Sequence, residues 1–235
     1  MNQSMPLSNN GYGPVDRLAK PPVDLLICFA VKEEMKFFPS QSWKDSSVQI
    51  WVTGIGRRNA AENIRDAIAR VQPERVVTAG FAGGLNPKLQ CGDVVYEQDF
   101  DAGFARELED AGAVPARFHC HRRVAITAEE KRDLWRETEA DAVEMESSVI
   151  RTICREFKIP SATVRVISDD ARQDLPLDFN ALMTSDDRIN YLKLIWAVFS
   201  HPDRIPKLIQ FQHQTLDAAR KLGGVLEDLL GAERR

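Results

Sequence analysis

The sequence has few residues of the kinds that build disulfide frameworks and metal centres. Its four cysteines, Cys28, Cys91, Cys120 and Cys154, are scattered and form no CxxC pair, which argues against both a disulfide framework and a zinc ribbon. The stretch HCH at 119–121 has no further histidine near it in the sequence, so a polar strand edge is favoured over a metal site there. We therefore expect neither a metal nor a cofactor.

Long apolar runs and clusters of positive charge are also absent. The longest apolar stretches are far shorter than the roughly 20 residues that a membrane-spanning helix requires, and no basic-then-apolar secretory signal opens the chain. A formal net charge of −4 without a Lys/Arg-rich run argues against a nucleic-acid-binding protein. These absences predict a cytoplasmic protein with no membrane span and no nucleic-acid partner.

The remaining composition is that of a globular enzyme-sized domain. The chain has 235 residues, of which 43% are hydrophobic and 28% charged, and this length suits one α/β domain with a substantial core. Residues 1–21 are rich in Asn, Ser, Gly and Pro, which predicts a flexible leader. We expect the folded domain to span residues 22–235.

Strands and helices alternate along this domain. Nearly continuous apolar runs, typical of strands buried on both faces, are followed by segments with helical spacing, and the segment 128–139 has the pattern of an exposed amphipathic helix. This alternation predicts a single α/β domain with a mixed, largely parallel, twisted sheet flanked by helices. We predict strands at 23–31, 48–56, 74–85, 92–100, 122–127 and 160–171, and helices at 57–71, 128–139, 147–158 and through most of the C-terminal third.

Acidic side chains accumulate where predicted strands end. Glu144 and Glu146 flank Met145 in the stretch DAVEMESSVI, and Asp169 and Asp170 follow the strand ATVRVIS. Ligands of open α/β sheets bind beyond the carboxyl ends of the strands, and buried carboxylates need partners. Each acid alone is more often solvated or caps a helix, but their joint occurrence favours a polar ligand.

Glycine-containing turns follow two other strands. GIGRRN has Asn59 where a Rossmann fingerprint has its third glycine, so a tight turn into a helix explains the motif equally well. AGFAGG contains Gly80, Gly83 and Gly84, which allow a ligand to approach the backbone closely. The loop lacks the GK[ST] of a Walker A motif, so it is not predicted to bind a nucleoside triphosphate in the manner of a P-loop.

Five stretches together resemble one family. AVKEEM, TGIGRRNAA, TAGFAGGLNPKLQCGDVV, AVEMESSVI and VRVISDDA are similar, in this order, to segments of the nucleoside phosphorylase superfamily, and specifically of its methylthioadenosine/S-adenosylhomocysteine nucleosidases. The C-terminal segment HPDRIPKLIQFQHQTLDAARKL resembles the hopanoid-associated members. The resemblance implies a nucleoside-phosphorylase-like fold, a homodimer and cleavage of the N-glycosidic bond of a purine ribonucleoside, with release of adenine.

The resemblance also implies the roles of individual residues. Glu146 matches the acid that binds the ribose hydroxyls, Asp169 the acid that protonates N7 of the base, and Glu34 the acid that orients the attacking water. Proton donation near pH 7 requires a raised pKa at Asp169, for which burial and the neighbouring Asp170 are candidates. The other expected site residues are Met145 under the sugar, Ser168 beside Asp169, Arg165 near the water, Glu144 as an anchor of its segment, and Phe81, Ala82 and Gly83 along the substrate.

Departures from the family keep alternatives open. Phe81 replaces the usual serine, and the segment between GDVV and AVEME is short, so the base-stacking residues cannot be assigned. Water is favoured over phosphate as the nucleophile because Thr78 stands where hexameric phosphorylases carry arginine, although Arg57 and Arg58 keep phosphorolysis open. A non-catalytic nucleoside-binding protein is a further alternative.

The apolar stretch YLKLIWAVF (191–199) has two interpretations. It completes the core or a subunit interface, or, together with Phe81, it lines a tunnel for a bulky apolar 5′ substituent such as that of an adenosylated lipid.

Overall fold

The computed structural model describes residues 23–38, 47–99, 102–184 and 202–233, and the structural statements below concern this part of the chain. The predicted leader at 1–21 and the apolar stretch at 191–199 lie outside it. The elements in chain order are β1 (Val23–Phe29), β2 (Val48–Val52), α1 (Arg57–Val71), β3 (Pro73–Gly84), β4 (Val94–Gln98), α2 (Ala105–Asp110), β5 (Val114–Pro115), β6 (Phe118–Cys120), α3 (Ala128–Thr138), β7 (Ala142–Glu144), α4 (Ser147–Glu156), β8 (Ser161–Asp169), α5 (Phe179–Leu182) and α6 (Ile205–Glu233).

The described strands form one mixed, mostly parallel sheet. Its main path runs in the order β2-β1-β3-β8-β4-β5, while β7 pairs with both β3 and β6. The strands β2, β1, β3 and β8 run parallel to their neighbours, whereas β4 is antiparallel to β8 and β7 is antiparallel to β3. This arrangement confirms the predicted fold class.

Helices cover both faces of the sheet. Along β1, Leu25 and Ile27 pack on the side of α6, next to Leu222 and Leu226. Leu26 and its neighbours point to the opposite side, against α1 and α4. The central strands are therefore buried on both faces, which explains why they appear in the sequence as continuous apolar runs rather than as alternating patterns.

One predicted strand is wrong, and the interior of α3 differs from its predicted pattern. Residues 122–127 form an irregular loop, in which the N–H groups of Val124 and Ile126 bond to the side chains of Asn180 and Glu130 at 2.8 and 2.9 Å instead of to a strand. The helix at 128–138 is not simply exposed, because Lys131 on it is completely buried.

The centre of the sheet brings the predicted loops to one edge. The long strand β3 pairs with β8 up to Asp169, and a register shift between Ala82 and Gly83 sets Gly83 directly opposite Asp169. The strand β7 adds to β3 at the same place, where Val143 pairs with Gly83. The ends of β1, β3, β7 and β8 therefore meet at one site.

No helix in the described ranges combines the length and the apolar character that crossing a membrane requires.

Candidate active site

A cavity of about 240 Å³ lies where these strand ends meet. We call it the catalytic cavity. Arg165 is the predicted site residue that does not line it: its side chain is buried behind the wall. The other nine predicted residues all line the cavity: Glu34, Phe81, Ala82, Gly83, Glu144, Met145, Glu146, Ser168 and Asp169.

Glu34 is held rigidly by backbone N–H groups. Its Oε2 accepts hydrogen bonds from the N–H groups of Ala30 at 2.8 Å and Val31 at 3.1 Å, and its Oε1 accepts one from Phe81 at 3.0 Å. Burial raises the pKa of this carboxyl above its ordinary value, against the opposing effects of Arg165 and the three N–H groups. A buried carboxylate with a raised pKa is suited to accept a proton from water.

The close approach of Glu34 to β3 requires glycine at position 80. A Cβ atom on Gly80 would lie 2.3 Å from Glu34 Oε1, well inside van der Waals contact. The glycine run in AGFAGG therefore makes room for this acid, which reaches the N–H of Phe81 one residue further on.

Glu144 accepts several hydrogen bonds at the start of α4. Its Oε2 accepts hydrogen bonds from the N–H groups of Glu146 at 3.0 Å and Ser147 at 2.7 Å, while its Oε1 accepts the Ser147 hydroxyl at 2.8 Å. Arg165 Nη2 lies 3.1 Å from the same carboxylate. The acid thus fixes the start of α4 and is itself neutralised by a buried guanidinium.

Glu146 is far less fully satisfied. Its Oε1 accepts the N–H of Gly56 at 2.8 Å, which ties the carboxylate to the turn before α1. Burial, followed by the nearby charge of Glu144, raises the pKa of Glu146 from 4.5 to about 8. The second oxygen of this carboxylate is available for a ligand that donates hydrogen bonds, and it lines the catalytic cavity.

Asp169 has a partner that the sequence did not reveal. The Ser168 hydroxyl lies 2.6 Å from its Oδ1, as its supporting role implies. Its Oδ2 lies 2.5 Å from Nζ of Lys131. The carboxylate of Asp170, by contrast, accepts the backbone N–H of Arg172 at 2.8 Å. The charged neighbour of the acid is therefore a cation, and not the second aspartate that we expected to act on it.

Sequence reasoning also missed one part of the cavity wall. Arg123, Val124 and Ala125, from the segment wrongly predicted as a strand, line the catalytic cavity. Lys131 lies three residues before Leu134, and both are buried on the same face of α3, but this spacing alone does not distinguish it from an exposed lysine. No comparable pattern marks the residues 123–125.

A second cavity of about 800 Å³ adjoins the first. We call it the apolar cavity. Phe81 and Asp169 line both cavities, so the two are contiguous at these residues. The far wall comes from α5 and α6, where the rings of Phe179 and Phe211 are 5.9 Å apart. Other apolar residues of the wall are Val31, Val52, Ile55, Val124 and Leu175.

The histidines of the HCH stretch contact each other rather than a metal-binding cluster. His119 Nε2 lies 3.3 Å from His121 Nδ1 at the end of β6. Within the described ranges, no group of three or more His, Cys, Asp and Glu residues is placed to hold a metal ion.

Comparisons with known proteins agree with this architecture. Two curated relatives are 5′-methylthioadenosine/S-adenosylhomocysteine nucleosidases: that of Marinomonas sp. is 27% identical over 173 residues, covering 58% of this chain and 74% of the relative. That of Bacillus subtilis is 24% identical over 180 residues, covering 62% and 78%.

Solved structures share the fold at lower sequence identity. A Campylobacter jejuni 5′-methylthioadenosine/S-adenosylhomocysteine nucleosidase superposes with a TM-score of 0.65 at 15% identity, covering 91% of this chain and 100% of that one. A futalosine hydrolase mutant of Helicobacter pylori gives a TM-score of 0.65 at 14% identity, covering 89% and 99%. The family model described as the phosphorylase superfamily matches residues 28–124 and 117–199, and the chain therefore belongs to this superfamily.

Proposed function

We propose that this protein hydrolyses the N-glycosidic bond of a purine ribonucleoside, of the adenosine type, and releases the base. The observation that carries the proposal is the convergence of Glu34, Glu146 and Asp169 on one cavity at the carboxyl ends of the strands. The nucleosidase names of the curated relatives support the same reaction.

Glu146 is the group that binds the sugar. Its carboxylate is fixed through Oε1 by the N–H of Gly56, so Oε2 can accept hydrogen bonds from the vicinal hydroxyls of a ribose. Positive charge grows on the sugar as the glycosidic bond breaks; this charge favours the ionised form of Glu146, and the resulting carboxylate stabilises it. Met145, next to it in the cavity wall, packs under the ring.

Asp169 and Glu34 act on the two ends of the breaking bond. Asp169 donates a proton to N7 while the electron pair of the C1′–N9 bond moves to the base. Glu34 takes a proton from the water whose oxygen bonds to C1′. A carboxylate offers about four acceptor positions, and three are used at Glu34 by backbone N–H groups, which leaves room for that water.

The charge of the catalytic cavity favours water over phosphate. Four acids line it, whereas its one lining cation, among the described residues, is Arg123, which is paired with Glu130. Arg58 faces away from the cavity and pairs with Glu62 on the exposed side of α1. A phosphate anion would therefore meet carboxylates instead of the cations that it requires.

The experiment is a base-release assay on adenosine-type nucleosides, with and without phosphate. The proposal predicts release of base and free pentose at a rate independent of phosphate. Strict dependence on phosphate, with formation of a pentose 1-phosphate, would establish the phosphorylase alternative. Binding without turnover under both conditions would establish a nucleoside-binding protein.

A second candidate concerns the substrate's 5′ substituent. The apolar cavity meets the catalytic cavity at Phe81 and is lined on another side by Phe179 and Phe211, which favours a bulky apolar group such as the tail of an adenosylated lipid. Each buried methylene contributes about 0.8 kcal/mol. Adenosines with lengthening 5′-alkyl chains should therefore show rising kcat/KM, whereas a best rate with methylthioadenosine would assign the enzyme to small substituents.

The cytoplasmic location, expected from the sequence composition, and the homodimer, implied by the family resemblance, remain predictions. Cell fractionation and a mass measurement in solution test them.

A further inference from the structure

Lys131 occupies a position that ordinary helix energetics disfavour. It is completely buried and lies in the first turn of α3, which begins at Ala128. The start of a helix carries partial positive charge, so a cation there is unfavourable. Burial of an ammonium group also costs free energy unless close partners compensate. The stability of α3 therefore does not explain the residue.

Three oxygen atoms surround the ammonium group. Nζ donates to the carbonyl oxygens of Asp170 and Gln173, both at 2.8 Å, and lies 2.5 Å from Oδ2 of Asp169. A lysine has three N–H donors, so all of them are used. Two of these contacts fix the turn after β8, and the third is directed at the proposed general acid.

The other charged groups near Lys131 have partners of their own. Glu130 accepts the N–H of Ile126 and pairs with Arg123. The carboxylates of Asp170 and Asp174 accept the backbone N–H groups of Arg172 and Ala128, each at 2.8 Å, and the Cys91 thiol is near Gln173. Among the described residues, Asp169 is the one carboxylate in ion-pair contact with Lys131.

We propose that Lys131 is a positioning residue that acts through Asp169, holding its carboxylate toward the base and supplying the proton that Asp169 delivers. The proposal rests on the hydrolysis proposed above. As the C1′–N9 electron pair moves to the base, N7 takes a proton from Asp169, and Asp169 takes one from the Lys131 ammonium. Neutral lysine remains until the base leaves; Glu34 then releases to solvent the proton that it took from the attacking water, and the solvent returns one proton to Lys131 through Asp169.

The test compares two leaving groups. A purine needs the proton at N7, whereas the 4-nitrophenolate of 4-nitrophenyl β-riboside leaves without one. We expect Lys131→Met to lose about 10²-fold or more in kcat on the purine nucleoside, but to remain within about threefold of the wild type on the aryl riboside. A purely structural role would lower both rates together, and that result would overturn the proposal.

Two further variants keep the test decisive if the methionine disturbs folding. Lys131→Arg retains a cation and donors for the same oxygens, but a guanidinium does not give up its proton. It should keep a wild-type melting temperature and still lose purine cleavage. In Asp169→Asn, adding Lys131→Met should cost no further purine rate, because the two residues act in one proton path.

The outcomes also separate this proposal from the proposed function. A wild type that cleaves no purine nucleoside would overturn both. An active wild type with equally active Lys131→Met and Lys131→Arg variants would overturn the role of Lys131 alone.

Discussion

The two adjoining cavities are built in different ways. The catalytic cavity is walled by strand ends and their turns, and two of its acids, Glu34 and Glu146, are held by backbone N–H groups. The far wall of the apolar cavity consists of Phe179 and Phe211 on α5 and α6. Backbone hydrogen bonds hold a catalytic side chain within a fraction of an ångström of its position, whereas an apolar wall selects substituents by their volume. From this difference we expect catalysis in the first cavity and selection of the substrate's 5′ substituent in the second.

The largest effect on turnover should come from a change at Asp169, which lines both cavities. Asp169→Asn keeps the shape of the side chain but removes the proton that it donates, so kcat on a purine nucleoside should fall by about 10²–10⁴-fold. The matched control is Asp170→Asn, whose side-chain oxygen can still accept the N–H of Arg172. Steady-state kinetics check both, and a rate within twofold of the wild type in Asp169→Asn would remove this residue from the mechanism.

A substitution at Gly80 in β3 should lower turnover by displacing Glu34. In Gly80→Ala the new methyl group would lie 2.3 Å from Glu34 Oε1, which forces the carboxylate off its three N–H donors. We expect a loss of about 10–10²-fold in kcat, with only a small shift in melting temperature because a side-chain end can move.

Gly231→Ala is the control for this change, because a Cβ atom there meets nothing within 4 Å. Its kcat should equal that of the wild type. Equal rates in the two alanine variants would show that the position of Glu34 does not matter for turnover.

Glu146→Gln should discriminate between sugars. An amide binds a hydroxyl more weakly than a carboxylate does, so kcat/KM on ribosides should fall by about 10-fold or more. The loss should be smaller on 2′-deoxyribosides, which lack one of the contacted hydroxyls. Equal losses on both sugars would argue against contact with the 2′-hydroxyl.

The same variant should change the pH dependence of stability. The pKa of Glu146 is raised to about 8. Between pH 4.5 and about pH 8, the folded wild type therefore keeps a proton on Glu146 that the unfolded chain has lost. Wild-type stability should therefore fall as pH rises through this window, and Glu146→Gln should lack this component. Relative to pH 4, the free energy of unfolding of Glu146→Gln at pH 9 should gain at most about 5 kcal/mol over that of the wild type.

Urea unfolding at pH 4 and pH 9 measures this difference. If the free energies of unfolding of the wild type and Glu146→Gln differ by the same amount at both pH values, that result would contradict a raised pKa at Glu146.

The smallest effect should come from the apolar cavity. Phe211→Ala enlarges its wall, and it should lower kcat/KM for 5′-alkyl adenosines with long chains by about 3–10-fold while leaving methylthioadenosine nearly unchanged. Phe157→Ala, at a surface ring that is 49% exposed, is the control. An equal loss of kcat/KM on substrates with short and with long 5′-alkyl chains would show that this cavity does not select the 5′ substituent.

The comparison of the cavities also shows what the sequence could reveal. Glu34 follows the buried apolar strand β1 and Asp169 ends the buried apolar strand β8, and parallel strands carry their ends to one edge. The meeting of these two acids was therefore predictable from local patterns, whereas Glu146 follows β7, which is antiparallel to β3, so this rule does not place it. Lys131 belongs to a helix with a polar composition and reaches Asp169 only through the packing of α3. Phe179 and Phe211 meet across 32 residues of chain, a contact that no local pattern specifies.

The departures from prediction have the same physical origin. The segment 122–127 has the composition of a strand, but the N–H groups of Val124 and Ile126 bond to the side chains of Asn180 and Glu130. Arg123 could therefore not be placed in the wall of the catalytic cavity in advance. Local propensity was overruled by tertiary contacts.

The most direct test of the central claim is a crystal structure of Asp169→Asn with an intact adenosine-type nucleoside. We predict vicinal ribose hydroxyls at Glu146, N7 of the base at residue 169, a water between Glu34 and C1′, and the 5′ substituent directed past Phe81 into the apolar cavity. A nucleoside bound with its sugar away from Glu146, or outside the catalytic cavity, would contradict the account.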